Sequence, residues 1–445
     1  MKIIKYSLLS IIVIALSGCG ETVTDTQFDT TLPPAGIIKE LTFDATVIGE
    51  ATRTANVYLP HVYDATRAAG YPVVYQLHGA GGDNDTWPTG YDLAQLLDRM
   101  ISEGVLEPTI VVMPSASNAL GGGFYTNSFD HDLDRNPTFN PALGFGAYET
   151  LIISFLMPTA EATYNIDVTK RGIMGHSMGG YGAMKLALLY PTMFVSVASH
   201  SGLLALAQLF EADDSNLLER IAAEKMAANP LSPVLDLAAA ADDKAGNPLT
   251  LTLFGLASSF SPHYGVITGF DNALLPLGLV TDPIDTDPTD NFQYPVVLLS
   301  DMGNADPTDD IWLGVDIPLV FDANGVATIK TDIFGLWLLQ DVYTMVTHGF
   351  FASPHWNPLY PEFGEQQVAD FSALNIYFDT GLNDDFDPAD DVVGFGIIAQ
   401  HNEFAKLLTS LSITYTSAKY TGAHSDGVYT RIDEAYSAFN SAIGN

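Results

Sequence analysis

Gly175-His176-Ser177-Met178-Gly179 is a G-x-S-x-G pattern, extended by Gly180. A serine between glycines at this spacing suits a sharp strand-to-helix turn that presents its hydroxyl as a nucleophile. The backbone N–H groups opening the following helix can then receive a developing oxyanion. A second glycine turn, His78-Gly79-Ala80-Gly81-Gly82, follows the apolar run Tyr71–Leu77 and can aim another N–H at the same oxygen. Either pattern alone occurs by chance, as a tight turn or, at His78, as a packed core histidine. Their shared setting, each after a strand-like run, favours acyl chemistry.

Such a serine needs a base, and the base needs an acid; the chain order for this turn is serine, acid, histidine. The chain has 10 histidines. His78 and His176 lie inside the glycine motifs. His61, His131, His200, His263, His348 and His355 all precede the run that should carry the acid. His401 falls within a predicted helix and reads as surface. His424, in Thr421-Gly422-Ala423-His424, follows a predicted strand and precedes a last helix, so it takes the place of the base. A loop histidine with no role is the alternative. The acid should follow residues 374–378, where Asp379, Asp384 and Asp385 compete and spacing does not choose between them.

These residues need a scaffold. Residues 40–49, 54–60, 71–77, 109–114, 172–174, 194–199, 374–378 and 413–416 read as strands, from their Val, Ile, Tyr and Thr content. Residues 148–164, with Pro158 as a kink, 179–190 and 397–410 read as helices. Strands alternating with helices argue for an α/β fold with a mainly parallel sheet. Between 205 and 335 the alternation stops. Helical residues 217–226, a Pro-broken run at 274–280 and Asp-rich turns read as an insertion covering something. The reading divides the chain into residues 1–18, 19–36, a first core part at 37–204, an insertion or cap at 205–335, and a second core part at 336–445.

GHSMGG, the HGAGG turn, Ile166-Asp167-Val168-Thr169-Lys170-Arg171, Gly123-Phe124-Tyr125-Thr126 and YFDTGLNDDF together resemble the esterase D family of α/β-hydrolases. That family includes feruloyl-esterase-like enzymes, S-formylglutathione hydrolases and mycolyltransferase relatives. The resemblance covers roughly residues 41–204 and 337–439. It implies an α/β-hydrolase fold and cleavage of carboxylic esters through an acyl-enzyme, with no metal or organic cofactor. It places the acid at Asp384, the fourth residue of the glycine turn after the strand, beside Ser177 and His424. It places the oxyanion amides at Ala80 and Met178. An alcohol replacing water would make the same triad an acyltransferase. A non-catalytic surface-binding lipoprotein is the rival, and an intact serine, acid and histidine set argues against it. The insertion departs from compact members, so no member's substrate carries over; its position suggests a lid.

Composition bounds the rest. The 445 residues hold 17 Lys+Arg against 53 Asp+Glu, a formal net charge of −36. Such a surface repels phosphate backbones, which excludes nucleic acid as a partner. With 47% hydrophobic and 16% charged residues, the chain has ample apolar material for a core. The single cysteine rules out an intrachain disulfide, a thiolate zinc site and a Cys-held cluster. It stands in Leu16-Ser17-Gly18-Cys19, after Lys2, Lys5 and a short apolar run at 6–16. This resembles a bacterial lipobox, against a plain secretory signal with an incidental cysteine. Residues 1–18 would be removed, Cys19 acylated, and 19–36 would tether the protein to a membrane it does not span. Gly20 points to the outer membrane of a Gram-negative cell. The Asp clusters at 282–290 and 384–391 are broken by Pro and lack the spacing of a calcium loop, so they read as solvated acidic faces. Phe260, Tyr264, Trp337, Trp356 and Tyr360 read equally as pocket lining or core.

Overall fold

Ile37–Asp44 (β1), Thr52–Leu59 (β2), Tyr71–Leu77 (β3), Ile110–Pro114 (β4), Ile166–His176 (β5), Ser196–His200 (β6), Asn375–Gly381 (β7) and Thr416–Tyr420 (β8) join in one sheet of order β1-β2-β4-β3-β5-β6-β7-β8. β2 runs antiparallel to both β1 and β4. Every other neighbouring pair is parallel. The computed structural model describes residues 33–118, 121–128, 146–210, 217–228, 248–265, 280–281, 293–294, 297–300, 311–315, 317–322, 324–351, 357, 359–384 and 395–444. Cys19, most of the tether, the Asp cluster at 282–290 and the residues of the other cluster after Asp384 lie outside these.

The apolar runs explain the sheet's layout. β3 and β4 are buried at every position, as strands covered on both faces must be. Their side chains alternate between two cores, as the two-residue period of a strand requires. Val73, Tyr75 and Leu77 enter one core and Val74 enters the other. Leu93–Ser102 (α1) and Val428–Ile443 (α6) fill the Val74 side. Met178–Leu189 (α2), Leu217–Ala228 (α3), Pro248–Phe260 (α4) and Ile397–Ser410 (α5) fill the Tyr75 side. α2 is buried from Met178 to Leu188, the pattern of a helix packed on all sides.

Parallel register brings the strand ends level. Leu77 pairs with Gly175, His176 with His200, His200 with Asp379, and Gly381 with Tyr420. The segments leaving β3, β5, β6, β7 and β8 therefore converge at the carboxyl edge, where open α/β sheets bind ligands.

Four expectations need correction. Residues 40–49 are not one strand: β1 ends at Asp44, whose carboxylate accepts the Thr46 N–H at 2.8 Å and opens a short helical turn over Thr46–Ile48. The helix over 148–164 forms, but Leu151–Leu156 is a π-helical stretch ahead of Met157–Thr163. Pro158 has no N–H to give the carbonyl four residues back, and the wider turn absorbs the misfit. The last strand starts at Thr416, not at Ile413. Ser412 takes a φ of 58° and the Ile413 N–H folds back onto Leu408 O, so Ile413 packs in the core before pairing begins. β8 is largely exposed, as an edge strand, so its sequence lacks the apolar signal. His401 is buried, not surface: it is 4% exposed and its ring lies 4.8 Å from that of Phe378.

Where it is described, the 205–335 stretch contributes apolar side chains to the Tyr75-side core. α3 packs against α4, and Ile221, Leu253 and Phe254 are buried in the same hydrophobic cluster as Tyr75. Phe260 packs against Phe124, Tyr181 and Trp337 at 5.6–5.8 Å between ring centroids, so Phe260 and Trp337 serve as core. The side chain of Tyr264 and all of Trp356 lie outside the described residues.

Gly175 and Gly179 pack where no side chain fits. A Cβ on Gly179 would lie 2.4 Å from Leu77 O, and one on Gly175 would lie 2.5 Å from the Gly179 backbone. Backbone cannot swing aside as a side chain can. Gly179→Ala should therefore lower the urea midpoint by about 2 kcal/mol equivalent or more. Gly90→Ala, where nothing lies within 4 Å, should stay within about 0.5 kcal/mol of the parent. Equal midpoints for the two variants would refute the close-approach argument.

Candidate active site

Ser177 sits between β5 and α2 with φ 55° and ψ −118°, a conformation that a non-glycine residue adopts only under constraint. Its N–H donates to His200 O at 2.8 Å, and its carbonyl accepts from Tyr181 N–H at 3.0 Å. The neighbouring strand and the first helical turn thus hold the serine from both sides. Its Oγ lies 2.8 Å from His424 Nε2, and His424 Nδ1 lies 2.7 Å from Asp384 Oδ1. Asp384 is 2% exposed, and its other oxygen accepts from Thr380 Oγ1 at 3.0 Å. Burial alone would raise the Asp384 carboxyl, but the His424 imidazole and the hydroxyls of Ser201 and Thr380 outweigh it and hold the group below its ordinary value.

Of the three aspartates that spacing left open, Asp384 reaches His424. Asp379 serves another partner set: His200 Nδ1 at 2.7 Å and Arg431 Nη1 at 2.5 Å, all buried. Asp385 lies outside the described residues. Ala80 and Met178 flank Ser177. Met178 opens α2, where helical N–H groups have no partner within the helix. In the other turn, Gly81 and Gly82 donate to Gly121 O and Gly79 O, leaving the Ala80 N–H without a backbone acceptor among the described residues. The Gly123–Thr126 motif braces this turn. Phe124 and Tyr125 hold φ near 50°, and Tyr125 OH donates to His78 O at 3.1 Å.

A cavity of about 140 Å³ opens on this group, lined by Ala80, Trp87, Tyr91, Ser177, His424 and Ser425 among others. Among the described residues, none that lines it comes from 205–335. Among the described residues no group of three His, Cys, Asp or Glu could hold a metal ion.

Two buried histidines, His78 and His176, frame the site. His78 accepts the Ala116 N–H on Nε2 and donates Nδ1–H to Gly79 O. His176 donates Nε2–H to the carbonyl of His424 at 2.9 Å. Burial pushes His78 down to about 4; burial and the nearby His424 ring push His176 to about 3. An unforeseen feature is Lys185 on α2, fully buried 3.5 Å from Glu149. Burial pulls it down to about 8 against the pull of Glu149. An inward lysine on an otherwise apolar helix was the one signal available.

A family model described as putative esterase matches residues 47–430. The chain belongs to this esterase family. An esterase of Mycobacterium tuberculosis is 34% identical to it over 149 residues, 33% of this chain and 28% of the relative. An endo-1,4-beta-xylanase/feruloyl esterase of Xylanibacter ruminicola is 32% identical over 166 residues, 36% of this chain and 20% of the relative. The match to this esterase-family chain thus spans less than a third of either curated relative. Among solved structures, a ferulic acid esterase is 14% identical with a TM-score of 0.48, covering 92% of this chain and 99% of the other. An S-formylglutathione hydrolase from Agrobacterium tumefaciens is also 14% identical with a TM-score of 0.48, covering 94% of this chain and 98% of the other. The fold is that of an α/β-hydrolase: a mainly parallel sheet with helices on both faces and the serine turn after its fifth strand.

The buried histidines predict how stability depends on pH. His78 and His176 stay neutral in the folded protein down to about 4 and about 3, against an ordinary value of 6.5. The unfolded chain takes up those protons first, so stability should fall as pH drops from about 6.5 towards 4. The urea midpoint, read between pH 7 and about 4.5, should decline, and His78→Gln should make the decline shallower. Parallel declines for the two proteins would contradict the assignment.

Proposed function

We propose that this protein is a serine esterase that cleaves carboxylic esters through an acyl-enzyme. The observation that carries the reading is the chain of short contacts from Asp384 through His424 to Ser177 at the carboxyl edge of the sheet. A carboxylate can only accept, so His424 carries its proton on Nδ1 and leaves the Nε2 lone pair facing the serine hydroxyl.

In this reading Ser177 Oγ attacks the ester carbonyl as its proton passes to His424 Nε2. The carbonyl oxygen becomes an oxyanion, received by the N–H groups of Met178 and Ala80. The tetrahedral species collapses, the C–O bond to the alcohol breaks, and His424 gives its proton to the departing alkoxide. Water then enters, loses a proton to His424 and attacks the acyl carbon, which releases the acid and restores Ser177. Asp384 keeps the imidazole in one tautomer and stabilises the imidazolium between the two transfers. No step in this sequence calls for a metal or organic cofactor. The aromatic pair Trp87 and Tyr91, with centroids 5.0 Å apart, supplies an apolar wall for one side of the ester. Curated relatives with esterase and feruloyl esterase names support ester chemistry at this site.

Ser177→Ala removes one hydroxyl at a turn set by backbone. It should keep the parent's urea midpoint within about 1 kcal/mol, while hydrolysis of a p-nitrophenyl acetate falls by about 10³-fold or more. A fluorophosphonate probe should label the parent and not the variant. Near-normal turnover in Ser177→Ala would end the reading.

The same protein is proposed to be lipid-anchored through Cys19, on the strength of the Leu16-Ser17-Gly18-Cys19 motif. Expressed in a bacterial host with labelled palmitate, the full chain should carry the label and pellet with membranes. Cys19→Ser should lose the label and become soluble. An unmodified thiol at Cys19 in exported protein would refute the anchor.

A further inference from the structure

His176 occupies the variable position of the serine motif, yet its side chain makes the contact that joins the two halves of the site. It ends β5, one residue before Ser177, and lies opposite His200 in the register with β6. Gly175 behind it is pressed against the Gly179 backbone, so the main chain beneath the imidazole has no room to shift. From this anchored point Nε2 donates to His424 O at 2.9 Å, with the two rings 4.9 Å apart. A carbonyl only accepts, so the proton sits on Nε2. The ring is buried and stays neutral down to about 3, so it acts through hydrogen bonding, not through gain and loss of a proton.

His424 comes from a segment whose neighbouring residues are tied elsewhere: Gly422 O accepts the Asn383 N–H at 3.0 Å, and Ala423 N–H donates to Asp426 Oδ2 at 3.0 Å. It follows the edge strand β8, which is mostly exposed, and precedes α6. Asp384 and Ser177 hold the two ring nitrogens of His424. Neither contact fixes the main chain that carries the ring. The bond from His176 acts on the main chain at His424 itself, and it refers that carbonyl to the residue next to the nucleophile. Any shift of the elbow then moves base and serine together. A displacement of about 1 Å between a base and its nucleophile costs on the order of 10²-fold in rate, so such a tie has leverage on turnover.

We propose that His176 is a positioning residue that registers the base on the nucleophile, by donating its Nε2–H to the main-chain carbonyl of His424. The inference rests on the serine esterase reading of Ser177 and His424.

The test uses the full chain with His176→Gln and His176→Leu. The glutamine amide can place an N–H near the position of Nε2, and the leucine cannot donate. For p-nitrophenyl acetate, His176→Leu should lower kcat by about 30-fold or more with KM changed less than about threefold. Fluorophosphonate labelling of Ser177 should slow in step. His176→Gln should recover both to within about fivefold of the parent. A Leu variant with parental kcat and labelling would overturn the proposal. So would a folded Gln variant as slow as the Leu variant, since donation alone would then not suffice. If the Leu variant does not fold, the Gln variant decides alone, by the same fivefold criterion. Failure of the esterase reading looks different: the parent itself would not take the fluorophosphonate probe.

Discussion

The backbone conformation of Ser177 is the constraint around which the rest is arranged. A side-chain-bearing residue at φ 55° and ψ −118° is strained by on the order of 1–3 kcal/mol, and it persists only where its surroundings over-determine it. Here they do. The His200 carbonyl on the adjacent parallel strand takes the Ser177 N–H, and the first turn of α2 takes its carbonyl. Glycines at 175 and 179 let strand and helix close to backbone contact. The register that sets His176 opposite His200 is thus a requirement of the site, since a slip would remove the acceptor that holds the serine.

Buried polar groups rigidify the layers beneath. Asp379 joins His200 of β6 to Arg431 of α6, and the Arg431 guanidinium stacks on Tyr420 of β8 at 3.3 Å. Removing one partner from such a set leaves an unpaired buried charge, which costs far more than the net worth of the pair. On the other face, Lys185 of α2 meets Glu149, whose two oxygens also accept the hydroxyls of Tyr190 and Tyr360 at 2.8 Å each. These links tie the serine helix to chain segments far away in sequence. The site is therefore placed by several elements at once, as precise chemistry requires.

Local pattern made much of this legible. The all-apolar runs at 71–77 and 110–114 announce central strands, and α5 is readable to both of its ends because its apolar spacing is strong. Ser177, His424 and the glycine turns followed from short motifs and chain order. The choice of Asp384 over Asp379 did not: it came from family resemblance, and only the fold shows that Asp379 is turned towards His200 and Arg431. The bounds of β8 are not legible because an exposed edge strand has no apolar period. The burial of His401 is not legible locally because the ring it packs against, Phe378, comes from β7 and not from its own helix. The contact from His176 to His424 spans 248 residues, and no local rule reaches that far. The 205–335 stretch breaks the strand and helix alternation, and residues of α3 and α4 belong to the hydrophobic cluster on the Tyr75 side.

Residues from both ends of the chain thus converge on one serine, and the account stands on that serine becoming acylated. Rapid mixing with a p-nitrophenyl ester, acid quench within the first turnovers and mass spectrometry of the digested protein measure this directly. An acyl group, added in place of one hydrogen, is expected on the peptide containing Ser177. Steady hydrolysis with the acyl group on another residue, or accumulating product with Ser177 unmodified throughout the pre-steady-state phase, would contradict it.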